Sequence, residues 1–258
     1  MRILDLSSTV DARHWEPDPI THKMMNAEEG ALHMTEGMRA HLGLELDPAE
    51  LRDGEFLTND FVSLSTHTGT HVDAPSHYGS RITYGDRPRD IDQMPLDWFF
   101  RPAFVLDISS VGTGAAGVAD LEKELDRIGY RPEPYDIALL RTGATERAGT
   151  TGYFTDFTGL DGPATNFLLD FGIRVIGTDG FSLDAPFPYI IQTYKNTGDR
   201  TVLWPAHFTG RDREYCQIER LSGLEELPGP YGFRVACFPV KVARAGAGWT
   251  RAVALMDE

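Results

Sequence analysis

Three of the chain's eight histidines fall in one short stretch, His67-Thr-Gly-Thr-His71-Val-Asp73-Ala-Pro75-Ser-His77. Two imidazoles and a carboxylate form a borderline-hard ligand set that suits Zn(II), Mn(II) or Fe(II) better than Ca(II) or Mg(II). Three protein ligands, His67, His71 and Asp73, would leave positions open for water or substrate, as a catalytic site requires. A bound cation can bring the pKa of its water down to about 7. A free imidazole titrates near ~6.5, which suits His77 to proton transfer at neutral pH.

What must position these groups? Histidines four apart would share one face of a helix. Yet Thr66, Thr68, Gly69, Thr70, Val72 and Pro75 are poor helix residues, and most of them are good strand residues. The spacing therefore predicts an extended strand, continuing one over residues 61–66, in which His67, Gly69, His71 and Asp73 point the same way. Gly69 would leave a gap between the imidazoles for an ion and its water. Pro75 would end the ladder and let His77 swing back from the following loop.

Other polar groups are less telling. His14, His22, His33 and His41 have no such companions and read as structural or surface residues, although His14 and His22 lie in a loop over residues 11–22 that could cover a site. His207, in Trp204-Pro-Ala-His-Phe, precedes Glu219 by twelve residues, a pairing that chance produces often. Gly177-Thr-Asp179-Gly-Phe-Ser182-Leu-Asp184 is a strand end followed by a polar turn. It reads equally as a loop supporting the site or substrate and as a turn whose aspartates bond the backbone. There is no Gly-x-Gly-x-x-Gly, no phosphate-loop lysine and no Gly-x-Ser-x-Gly elbow.

Along the chain, patterns predict strands over 2–8, 61–66, 103–109, 137–140, 174–176, 215–221, 233–242 and 251–255. Helices are expected from Asn26 to about His41, with Met24 and Met25 as a possible start and Gly43 as a stop; over 121–128, with Asp120 as N-cap and Gly129 as stop; and over 163–171, with Gly172 as stop. Strands and helices mix without repeats, linkers or a composition break. One α/β domain over residues 1–258 is the simplest reading.

The 258 residues suffice for a sizeable core. A net charge of -15 disfavours a nucleic-acid partner. Cys216 and Cys237, in apolar strand-like segments, read as buried thiols. No apolar run approaches the roughly 20 residues of a membrane span, and the N-terminus lacks a signal-like apolar region, so a cytoplasmic protein is expected.

The motif His67-x-Gly69-Thr70-His71-x-Asp73-x-Pro75-x-His77 resembles the signature of the metal-dependent cyclase superfamily that includes bacterial kynurenine formamidases and isatin hydrolases. The resemblance extends to Asp5-Leu6-Ser7, Leu140-Arg-Thr-Gly143, Gly177-x-Asp179-x-x-Ser182-x-Asp184, and His207 with Glu219-Arg-Leu-Ser-Gly. It implies a swivelling β/β/α fold with a mixed sheet, in homodimers or higher oligomers. It also implies that His67, His71 and Asp73 hold a first metal, that Asp73 bridges to a second, that His207 and Glu219 complete the set, and that His77 is the proton donor and acceptor. One or two Zn2+ or Mn2+ ions per chain are expected.

The longer region from Met24 to Asp60, and the segment from Leu203 to Glu219, look more like the ring cyclases of aromatic polyketide pathways. The leading expectation is therefore aldol-type ring closure and dehydration of a small-molecule polyketide, with Trp15, Phe181, Phe187 and Tyr189 as candidate pocket aromatics. The alternative is hydrolysis of an amide, formamide or lactam. A closed structural metal site fits less well, because both thiols lie outside the motif.

Overall fold

The segment Ile137-Ala-Leu-Leu is apolar at every position, as expected of a strand buried on both faces. In the computed structural model, which describes residues 1–256, it lies at the middle of a nine-stranded mixed sheet. In chain order the strands are β1 (Arg2–Asp5), β2 (Thr21–Met25), β3 (Asn59–Ser63), β4 (His71–Asp73), β5 (Phe100–Asp107), β6 (Gly114–Ala116), β7 (Ile137–Arg141), β8 (Thr158–Leu160), β9 (Val175–Thr178), β10 (Cys216–Glu219), β11 (Phe233–Ala236), β12 (Ala247–Trp249) and β13 (Val253–Met256). The α-helices are α1 (Ala27–Leu42), α2 (Val118–Ile128), α3 (Thr151–Thr155), α4 (Gly162–Asp170), α5 (Phe187–Thr197) and α6 (Pro205–Thr209).

The chain divides into two compact units. Residues 11–65 form one; residues 1–10 with 66 onward form the other. The first holds α1 and the antiparallel pair β2–β3. The second holds the large sheet, in the order β1-β13-β11-β5-β7-β9-β10-β4-β12, and a small parallel pair, β6–β8. The strands β5, β7, β9 and β10 run parallel, and the flanks are antiparallel. The α/β class and mixed sheet expected from the sequence are what the chain adopts.

Period-two alternation sends neighbouring residues to opposite faces. Phe104, Leu106, Ala138, Leu140 and Ile176 pack on one side against Leu121, Leu125 and Ile128 of α2 and Ala164, Leu168 and Leu169 of α4. These helices lie on the crossover connections that parallel strands require. Val105, Ile137, Leu139, Val175 and Ile218 face the other side, with Trp98, Phe99, Val235 and Ala254. Burying each Val, Leu, Ile or Phe among them contributes about 1.5–3 kcal/mol. Cys216 and Cys237 are buried free thiols, as expected. No helix among the described residues is long and apolar enough to cross a membrane.

Several boundaries differ from expectation for identifiable reasons. The strand expected over 61–66 ends at Ser63 and does not run into the histidines. Residues 66–70 turn instead, and Gly69 has the left-handed φ of 67°. Met24 and Met25 belong to β2. Asn26 starts α1 with a capping box: its side chain accepts from Glu29 N at 2.9 Å, and the Glu29 carboxylate accepts from Asn26 N at 3.0 Å. Gly43 ends α1 in the left-handed conformation, as predicted. Asp120 is not the N-cap of α2; it bonds back to Gly117 N at 2.9 Å from inside the first turn. The strand expected over 233–242 stops at Ala236, three residues before Pro239, which has no N–H to donate. The helix α5 escapes the pattern because its β-branched and aromatic residues favour strands. Pro188 in its first turn and left-handed Gly198 at its end are the helical signals.

At Gly159, β8 passes close to residues 184–185. A Cβ there would lie 2.2 Å from Ala185 N and Asp184 C, both backbone atoms. Gly159→Ala is expected to lower stability by about 1–3 kcal/mol, a Tm fall of several degrees in a thermal scan. An unchanged Tm would show that the backbone yields without cost.

Candidate metal centre

All six residues singled out from the motif and the resemblance converge. The turn over 66–70 presents His67, β4 presents His71 and Asp73, and a 3-10 turn at Pro75–Tyr78 presents His77. His207 comes from α6 and Glu219 from β10. Antiparallel pairing sets Glu219 opposite His71 and Gln217 opposite Asp73, on the face away from Val72 and Ile218, which enter the core. Asp73 is the centre. Its Oδ1 lies 3.0 Å from His67 Nδ1 and 3.4 Å from His71 Nε2. Its Oδ2 lies 3.8 Å from His207 Nε2 and 3.9 Å from His77 Nε2. Glu219 reaches His71 Nε2 at 3.6 Å and His207 Nε2 at 3.8 Å.

Gly69 acts differently from the expectation. No gap separates the imidazoles: His67 Nδ1 and His71 Nε2 are 3.2 Å apart. The glycine instead turns the chain, and its carbonyl accepts from His71 Nδ1 at 2.8 Å. That bond leaves the lone pair of His71 on Nε2, facing the carboxylates.

The donor set fits a divalent cation. Asp73 is fully buried, and neither of its oxygens meets a donor in hydrogen-bonding geometry. A buried carboxylate left in that state is costly, whereas a cation among the surrounding ring nitrogens and Glu219 would satisfy it. Two triads are close enough to hold an ion, His67–Asp73–His77 and His71–Asp73–Glu219, and they share Asp73.

Without a cation these groups perturb one another. Burial works against Asp73's charge, but His71, His77 and His67 hold its carboxyl well below the usual range. Burial and the adjacent Asp73 charge push Glu219 up. Burial takes His77 down to about 4, against the pull of Asp73. For His67 burial also acts downward, but Asp73 outweighs it and the pKa rises. In His207 the carboxylate of Asp184 overcomes burial and lifts it to about 9.

The polar turn after β9 divides between its two readings. Asp179 is a satisfied turn residue: it accepts from Thr142 N and Oγ1 at 2.7 Å each, from Gly143 N at 3.2 Å and from Thr145 Oγ1 at 3.3 Å. Asp184 faces the site and accepts from His207 Nδ1 at 2.5 Å. Next to it, Leu183 N donates to Glu219 Oε1 at 2.9 Å.

Sequence reasoning missed Arg220, Tyr78 and Tyr215. Arg220 is buried with a left-handed φ of 63°, donates to the His67 carbonyl at 3.1 Å and lies over the Phe181 ring at 4.5 Å. Tyr78 stacks on Tyr215, whose hydroxyl donates to the Ala206 carbonyl at 2.6 Å. Strand periodicity from Glu219 back to Gln217 and Tyr215 was the available signal.

Of the candidate pocket aromatics, Phe181 and Phe187 belong to a partly exposed edge-to-face chain, Phe181–Phe154–Phe187–Trp204, that starts beside Arg220 and ends three residues before His207. Tyr189 instead lines a separate cavity of about 860 Å³ with Pro205 and Phe208 of α6. Trp15, His14, His22, His33 and His41 lie in the 11–65 unit, where His22 pairs with Asp60 at 2.6 Å on the surface.

Comparison with known proteins gives the family and the fold. The family model described as "Putative cyclase" matches residues 4–185. A kynurenine formamidase from Geobacillus thermodenitrificans (strain NG80-2) is 30% identical over 192 residues, 74% of this chain and 77% of that protein. Cyclase-like protein 3 from Oryza sativa subsp. japonica is 27% identical over 202 residues, 77% of this chain but 66% of that protein's length. Among solved structures, isatin hydrolase A from Ralstonia solanacearum superposes with a TM-score of 0.75 at 21% identity, over 99% of this chain and 92% of the other, so the fold is shared. With most of its length matched by the family model and a formamidase relative at 30% identity, the chain belongs to the cyclase family.

Proposed function

We propose that the chain is a divalent-metal-dependent hydrolase that cleaves the carbon–nitrogen bond of a formamide, amide or lactam. The observation that carries this reading is Asp73: a buried carboxylate without hydrogen bonds, ringed by four imidazoles and Glu219. His67, His71, Asp73, His207 and Glu219 are the ligands, with Zn2+ or Mn2+ suited to the nitrogen–oxygen donor set. The relatives also favour hydrolysis over polyketide ring closure, since one is named for formamide hydrolysis and the shared fold is that of an isatin hydrolase.

When bound, the cation supplies Lewis acidity, acidifying water and polarising the substrate carbonyl. The remaining work falls to the chain. His77 is part exposed at the rim, with Nε2 3.9 Å from Asp73 Oδ2. It takes the proton of the attacking water and returns it to the leaving nitrogen. The negative charge of Asp73 steadies the imidazolium between those steps. His71 and His207 donate their Nδ1 protons to Gly69 and Asp184, so both keep Nε2 free as a donor atom. The aromatic chain from Phe181 to Trp204 gives a flat substrate an edge to pack on.

His77 also lies in one ligand triad, so its role needs a test that separates base from ligand. His77→Ala is expected to keep its metal and to lose roughly 10²–10⁴-fold in kcat; loss of metal together with rate would make His77 a ligand instead. Metal analysis of the purified chain should give about two cations, and Glu219→Ala should lower that number. Robust turnover of N-formylkynurenine or isatin by the metal-loaded protein is the direct test. Inertness toward both, with a polyketone cyclised instead, would overturn the hydrolase reading.

A further inference from the structure

We infer that Asp184 is a positioning residue that sets the occupancy of one of two cation positions by fixing His207. This rests on the two-cation reading above. Asp184 is fully buried, and its carboxylate takes three donors from α6. Oδ1 accepts from Ala206 N at 2.7 Å; Oδ2 accepts from His207 N at 3.1 Å and from His207 Nδ1 at 2.5 Å. Trp204, at the start of α6, has a left-handed φ of 49° and no side-chain capping bond. Asp184 fills that role from a distant segment and in the same stroke receives the imidazole proton.

The consequence is a defined tautomer. With the proton held on Nδ1, the His207 lone pair is on Nε2, 3.8 Å from both Asp73 Oδ2 and Glu219 Oε1. The adjacent Leu183 N fixes Glu219 Oε1. Two consecutive residues thus orient two ligands that arrive on different elements, α6 and β10. The close approach of Gly159 and the bridge between Leu160 and Asp184 pin that pair in turn. His67 and His71 take no part in this arrangement; His71 is held by the Gly69 carbonyl. Of the ligands, His207 alone is bonded to the Asp184 carboxylate, so a change at Asp184 should act through His207 and leave the others in place.

Asp184→Asn tests this. The amide keeps the shape but can present an N–H to His207 Nδ1. The ring proton would then move to Nε2, the wrong tautomer for a ligand. The readout is Zn2+ retained per chain against rising chelator, for wild type, D184N, H207A and the double variant. The wild type should release zinc in two steps. In D184N one step should shift to roughly 10–100-fold weaker binding, while the other stays put. The double variant should be no worse than H207A alone, because the two residues act as one unit. Wild-type retention in D184N, or a double variant that sums the single losses, would overturn the inference. A wild type that releases less than about two zinc ions would sink the two-cation reading, and the inference with it. If D184N does not fold, nitrogen-15 spectra of the zinc-loaded wild type decide: a proton on His207 Nδ1 is expected, and one on Nε2 would refute the assignment.

Discussion

Two carboxylates buried on neighbouring strands cannot both stay charged unless something positive lies between them. Asp73 and Glu219 are in that position, separated only by the β4–β10 pairing. The cost of burying each ion is several kcal/mol even after relaxation. The chain does not offset it with a lysine or arginine inside the cluster. It supplies imidazoles, which are poor permanent counter-ions but good ligands. The protein's ordinary hydrophobic energy therefore holds a constellation that is unfavourable alone and favourable around a cation.

The sheet makes this tolerable. Val72, Cys216 and Ile218 alternate with the polar residues and anchor the same strands in the core. A one-residue slip of β10 would bring Ile218 to the site and drive Glu219 into the apolar layer, so packing fixes the register on which the ligand geometry depends. The candidate ligands not on strands are secured by other means. His207 rides on a five-residue helix too short to stabilise itself, tied by Asp184 at its start and by Tyr215, the residue just before β10. His67 sits on a turn whose shape needs the left-handed Gly69 and whose carbonyl is held by Arg220. Small, irregular elements thus reach fixed positions by bonding to strands.

Much of this was legible in the chain. The residue types and their crowding between residues 67 and 77 pointed to a candidate metal site without any fold, and the structure does bring them together. The central strands were legible because an apolar run such as Ile137–Leu140 has few alternatives. The local geometry of the motif was not. Threonine and valine favour strands, and that average preference concealed a single glycine that turns the backbone. The helix α5 was hidden in the same way, its aromatic and β-branched residues overriding Pro188 and Gly198 as signals. Glu219 and His207 were invisible as partners of the motif by spacing, since what sets Glu219 opposite His71 is the pairing of β10 with β4, far earlier in the chain.

Exposure within the cluster explains why the site is open on one side. Asp73 and His71 have side chains 0% and 1% exposed, and Glu219 8%. His67 and His77 are each 34% exposed. The floor is anionic and buried; the rim is imidazole and meets solvent. A cation on such a floor would be held from below by buried groups, leaving its open positions directed at the rim, where His77 stands. A closed structural site would show the reverse, with every ligand equally buried and no titratable group left at the edge. The asymmetry of burial, more than the identity of any one candidate ligand, is what favours the open, catalytic reading of this cluster over a closed structural one.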